Sequence, residues 1–230
     1  MAAVSTDLYP AAPTFLADLA SGKASFTDPR FVAAAQKVAT LASEGYLDKA
    51  GLSRSYANTE QAFRDHKAAM YPMGSWFPAS ADTNPPSFPL GVFTWPTDSG
   101  KTVLPVDTGG GTAVSAKAKD IPLAQKWALA FATDKANLDA AVKADGLFMA
   151  VKDYTPPSDM GANYVASYDV YKKAVAANET VKAFATNDAL PSGATNDMYK
   201  AIVDLVNGGK SAAQFAQVLQ ESYKKNTSGG

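Results

Sequence analysis

Apolar and polar positions alternate along this chain in two different periods, and the change of period divides it. From Ala11 to Ala20 a short apolar-rich segment runs up to Ser21-Gly22-Lys23. Beyond Asp28-Pro29, the residues Phe31, Val32, Ala35, Val38, Ala39 and Ala42 recur at the spacing of one helix face. Asp28 is placed to cap that helix, Pro29 occupies the first turn where its missing donor costs nothing, and Gly45 marks the stop. After the polar stretch 48–56, Asn58 followed by Gln61 is a capping signature for a short helix through Phe63.

The period then shortens. Ala68-Ala69-Met70-Tyr71-Pro72-Met73 is a brief apolar run bounded by charge and Gly74, which predicts a strand, and Pro72 assigns it to a sheet edge or end. A Pro-rich loop (Asn84-Pro85-Pro86) leads to a second predicted strand, 88–95, ended by Pro96. A third, 112–116, follows a polar loop and the triplet Gly109-Gly110-Gly111. From Asp120 onward helices are predicted at 120–132, 134–144, 164–177, 178–187, 195–207 and 211–224, the last with Ser211 and Gln214 in capping-box register. Pro156-Pro157-Ser158 is the best internal break after the glycine triplet, and no repeat is found. Few strands followed by many helices predict a mixed, helix-rich α/β body with a small sheet.

Composition narrows the chemistry. The 21 basic and 22 acidic side chains nearly cancel, so no strong field steers the protein toward nucleic acid or anionic lipid. Cysteine is absent, which removes disulfides, thiol nucleophiles and Cys-based metal sites, and no cofactor or metal is expected. His66, the single histidine, stands in Arg64-Asp65-His66-Lys67 and reads as a solvated loop or helix-end residue. The N-terminal residues carry neither the basic nor the apolar region of an export signal, and no run approaches 18 apolar residues.

The stretch Ala62-Phe63-Arg64-Asp65-His66-Lys67-Ala68-Ala69-Met70-Tyr71-Pro72-Met73-Gly74-Ser75-Trp76-Phe77 resembles the family 1 extracellular solute-binding proteins, the maltose-binding-protein-like class that delivers sugars to ABC importers. Phe88 to Pro96, Gly109 to Ser115 and Lys119 to Ala132 match further family segments in the right order. Tyr9-Pro10-Ala11-Ala12, Phe26 to Ala34, Leu190-Pro191 and Met198 to Gly208 are also similar. The resemblance spans nearly the whole chain but only the middle and end of the family, whose members run close to twice this length. It implies the type II periplasmic-binding-protein fold, mainly its second lobe, with residues 1–107 and 158–230 in that lobe and 108–157 as a crossover into an incomplete first lobe. An extracellular or periplasmic location, a sugar ligand and the membrane subunits of an ABC importer are implied as well. So is apolar surface left poorly covered around Val114, Leu123, Trp127 and Phe131, unless that segment packs differently, pairs with a second copy of the chain, or meets a missing lobe supplied elsewhere.

A sugar ring needs a flat aromatic platform for its C–H face and polar groups for its hydroxyls. The resemblance puts Trp76 forward as that platform, with Ser75 beside it; ordinary core packing is the alternative. Gly109, Gly110 and Gly111 are read as a close backbone approach to ligand, a lobe hinge, or a plain flexible loop. They lack the downstream Lys-Ser/Thr of a nucleotide-binding loop. Asp107, Asn196 and Asp197 are candidate acceptors for hydroxyls, with helix capping the alternative for Asp197. Tyr164, Tyr168 and Tyr171 read as a packed helix face, and Trp95 and Trp127 as core. A receptor that performs no chemistry is favoured over a glycosidase using paired carboxylates and over an interaction module that pairs through its incomplete lobe.

Overall fold

In the computed structural model, which describes residues 2–98, 100, 103–107, 111–182 and 190–227, the capping residues set the element boundaries. The helix α3 (Pro29–Ser43) begins where the Asp28 carboxylate accepts the Arg30 N–H and ends just before Gly45, whose φ of +82° favours glycine. Before it lie α1 (Ala2–Leu8) and α2 (Phe15–Ala20); after it come a 3-10 turn (Lys49–Ser53), α4 (Tyr56–Arg64) and α5 (Trp76–Thr83). The strand β1 (Leu104–Val106) precedes α6 (Ile121–Thr133), α7 (Lys135–Asp145) and α8 (Ala162–Ala176). The chain continues through the strand β2 (Thr180–Lys182), α9 (Ser192–Asn207) and α10 (Ala212–Thr227).

The chain folds as two compact units. One comprises residues 1–61, 94–107 and 177–230, the other 62–93 and 108–176. In the first unit α1, α3, α9 and α10 pack around a core of Leu8, Phe15, Phe26, Phe31, Met198, Leu205, Phe215 and Leu219. Phe31 stands at its centre, stacked on Phe15 at 5.9 Å and on Phe215 at 6.3 Å, with Phe26 edge-on at 5.1 Å. The α10 capping box forms as predicted: Gln214 N–H donates to Ser211 Oγ, and Ser211 N–H donates to Gln214 Oε1. The sheet of this unit is small, β1 and β2 pairing in parallel with Leu104 opposite Thr180 and Val106 opposite Lys182.

Several predicted strands are not strands. Residues 68–73, 88–95 and 112–116 are irregular. Proline explains much of this: Pro72 and Pro89 carry no N–H for a ladder, and Met70, which alternation would bury, is exposed. Phe88 packs against Phe63 and His66 instead of a strand neighbour. The helix predicted over 178–187 is also corrected. Asn178 takes φ +55°, which stops α8, and 180–182 form β2, while 183–189 lie outside the described residues. A parallel partner 76 residues upstream in β1 decides this, and no local pattern announces it. Trp127, read as core, is 62% exposed, because α6 buries only Ala128. His66 is a helix-end residue as expected, exposed and at φ +61°.

Candidate functional site

Within the second unit, α5 carries Trp76 at its first residue, a helix that the sequence reading replaced with the exit from a strand. Ser75 stands at the N-cap position and Pro78 in the first turn, two start signals that were legible. Two side chains, Arg64 and Asp82, then hold α5 in place. Arg64, buried at the end of α4, donates from Nη1 to the Asn84 carbonyl just past the last turn of α5 and from Nη2 to Ser80 Oγ at 3.0 Å. Its guanidinium also lies 5.1 Å from the centroid of the Phe77 ring. Asp82, in the last turn, accepts the backbone N–H groups of Asn163 and Tyr164, both at 2.9 Å. It thereby caps the first turn of α8 from a different helix.

Two glycines make room for this arrangement. A Cβ on Gly161 would lie 2.5 Å from Asp82 Cβ and closer still to its carboxyl carbon, so only glycine lets the carboxylate reach the start of α8. Gly146 ends α7 at φ +63°, and a Cβ there would meet the Ala79 methyl at 2.5 Å, Ser75 O at 3.1 Å and Trp76 Cα at 3.2 Å. The end of α7 therefore lies flat against the start of α5. Phe77 and Ala81 face inward, Phe77 packing edge-on against Phe63 at 5.6 Å and Tyr71 at 5.0 Å.

Trp76, one residue before Phe77, turns the other way. It is 41% exposed, and its six-membered ring lies over Gly74, where an added Cβ would be 2.7 Å from Cε3 and nearer to Cζ3 and Cη2. An indole braced by backbone and partly exposed to water is an apolar platform. Ser75, half-buried, makes no side-chain capping bond.

The remaining candidates fall in different places. Gly111 belongs to the same unit as Trp76 and is exposed, while Gly109 and Gly110 lie outside the described residues. Asp107, Asn196 and Asp197 belong to the first unit. Asp107 is exposed just past β1 and its charge adds to the effect of burial on Tyr9, whose phenol is pushed up to about 12. Asn196 is exposed on α9, and Asp197 accepts the Ser222 hydroxyl at 2.7 Å, tying α9 to α10. Sequence reasoning passed over Arg64, Asp82, Gly146 and Gly161, whose roles depend on partners 16 to 82 residues away.

The electrostatics are those of solvated ion pairs. The carboxyls of Asp28, Asp48, Asp139, Asp159 and Asp169 are all held below the ordinary range, chiefly by hydrogen bonds from Arg30, Arg54, Lys135, Lys143 and Lys172 respectively. A glycosidase acid needs a displacement in the opposite sense. Among the described residues no group of three or more His, Cys, Asp or Glu could hold a metal ion, and no helix is long and apolar enough to cross a membrane.

Comparison with known proteins adds the relatives. Residues 2–167 match the family described as bacterial extracellular solute-binding protein. Over 115 residues the chain is 32% identical to the multiple sugar-binding protein of Streptococcus mutans, a match covering 49% of this chain and 27% of that one. Among solved structures, a chitin oligosaccharide binding protein superposes with a TM-score of 0.78 at 21% identity, over 99% of this chain and 56% of its own. A family 1 extracellular solute-binding protein from Bifidobacterium longum subsp. infantis does so with a TM-score of 0.71 at 20% identity, over 97% of this chain and 57% of its own. A protein solved in work on xylan utilization by the thermophilic bacterium Caldanaerobius polysaccharolyticus gives 0.67 at 23% identity, over 95% and 58%. The chain thus has the solute-binding-protein fold and spans just over half the length of these structures.

Proposed function

The chain belongs to the bacterial extracellular solute-binding protein family, and from that premise we propose that it binds carbohydrate, with Trp76 as the platform on which a sugar ring stacks. The observation that carries this reading is the pose of Trp76: an exposed indole backed by Gly74, on a helix held by Arg64, Asp82 and Gly146. Such a side chain loses little conformational freedom when a pyranose settles on it. The relative from Streptococcus mutans bears the name multiple sugar-binding protein, and one structural neighbour binds chitin oligosaccharide by its title. Both support a sugar as the ligand.

The proposal extends to the polar groups. Ser75 and Gly111, which belong to the same unit as Trp76, are assigned to the ligand's hydroxyls. The protein acts, on this reading, outside the cytoplasm as the receptor of an ABC importer and passes its sugar to the importer's membrane subunits.

Titration calorimetry of the chain against chitin and xylan oligosaccharides and malto-oligosaccharides tests this. Heat of binding to at least one series is expected, reduced about tenfold or more in affinity by Trp76→Ala. Equal heats from both proteins remove Trp76 from the site. Turnover of an aryl glycoside that a single Asp or Glu change abolishes would replace the receptor with an enzyme.

A further inference from the structure

The helix α7 carries four charged side chains, Lys135, Asp139, Lys143 and Asp145. Three of them are matched by an opposite charge. Lys135 Nζ lies 2.6 Å from Asp139 Oδ2, and Lys143 Nζ lies 2.7 Å from Asp159 Oδ2 in the loop that follows the helix. Asp145, the last residue of α7, is exposed and has no side-chain hydrogen bond or ion pair among the described residues. Its place is an unfavourable one for an anion, because the last carbonyls of a helix gather partial negative charge there. A carboxylate that opposes the helix dipole and meets no cation stabilises nothing in the fold, and departures of this kind belong to functional sites.

What Asp145 stands beside is Trp76. The next residue, Gly146, is buried against the start of α5, and a Cβ built on it would be 3.2 Å from Trp76 Cα. One residue earlier, Asp145 Cα is therefore within about 9 Å of Trp76 Cα, a gap that a sugar ring and its hydroxyls bridge. We propose that the Asp145 carboxylate accepts hydrogen bonds from hydroxyls of the ring that stacks on Trp76, and that it makes the site selective for uncharged sugars over uronic acids. An ionised carboxylate is acceptor-only and forms stronger hydrogen bonds with hydroxyls than a neutral group does. A uronic acid would bring a second anion next to one that has no cation to offset it, which disfavours that ligand. The inference rests on the carbohydrate reading of Trp76 and adds to it which groups of the sugar are read and which sugars are turned away.

The test is titration calorimetry of the full chain, Asp145→Asn and Asp145→Ala against chitin, xylan and malto-oligosaccharides and against an oligogalacturonide. The unaltered chain is expected to bind at least one neutral series about tenfold or more tightly than the oligogalacturonide. Both variants should weaken the neutral series about tenfold and narrow the preference over the oligogalacturonide. Their thermal midpoints should hold or rise, because the repulsion between the carboxylate and the helix end is relieved. Unchanged affinity for the neutral series in both variants overturns the proposal. So does a loss of affinity accompanied by a lowered midpoint, which is the mark of a structural role, or an oligogalacturonide that binds the unaltered chain as tightly as the neutral series. If Trp76→Ala removes binding and the Asp145 variants do not, this inference fails and the stacking reading stands; if the unaltered chain gives no heat with any sugar, the carbohydrate reading falls and this inference with it.

Discussion

The ring of Trp76 lies across the backbone of Gly74, close enough that residue 74 has no room for a side chain. Gly74→Ala is therefore expected to expel the indole from its pose, because the alternative is a clash of Cβ with Cε3 at 2.7 Å and with two ring carbons nearer still. Time-resolved anisotropy in a variant that keeps Trp76 as its single tryptophan reads this directly. Faster indole motion is expected with a stability loss of about 1 kcal/mol; unchanged anisotropy would show that the glycine is not what holds the ring.

Asp82 and Gly161 form a second coupled pair. Asp82→Ala removes the acceptor for the Asn163 and Tyr164 N–H groups and is expected to destabilise the second unit by about 2 kcal/mol. Gly161→Ala should cost a similar amount by displacing the same carboxylate. Because both act on one contact, the double variant should cost little more than either single one. Hydrogen exchange at the first turn of α8 locates the effect, and additive losses would separate the two residues.

Arg64→Met keeps the aliphatic stem but removes the donors to Asn84 and Ser80, leaving a carbonyl at the end of α5 without its charged partner. The expected loss is about 3 kcal/mol by denaturant unfolding. If the chain tolerates the change with no shift in midpoint, Arg64 does not brace the helix that presents Trp76.

Tyr9 gives the fold an alkaline limit. Burial first, and the Asp107 charge second, raise its phenol to about 12, above the unfolded value near 10. A raised pKa means that the neutral phenol's contribution is complete below about pH 10 and is lost as pH climbs toward 12. Tyr9→Phe should flatten that part of the stability profile, and Asp107→Asn should make the loss smaller and complete at a lower pH. An alkaline profile identical in all three proteins would remove Tyr9 from it.

Local pattern went far in the helical parts. Asp28-Pro29, Gly45 and the Ser211/Gln214 pair specify helix ends through bonds between residues two or three apart, so the sequence by itself determined α3 and α10. Four segments in the right order, beginning with Ala62 to Phe77, pointed to the family. What only the tertiary structure decided involves partners distant along the chain. The pairing of β1 with β2 joins residues 76 apart, and the three apolar runs read as strands have no such partner among the described residues. Trp127 shows the limit from the other side. Its helical spacing is that of a core residue, but spacing says only that a face is apolar, and whether anything lies against that face is settled by the rest of the fold.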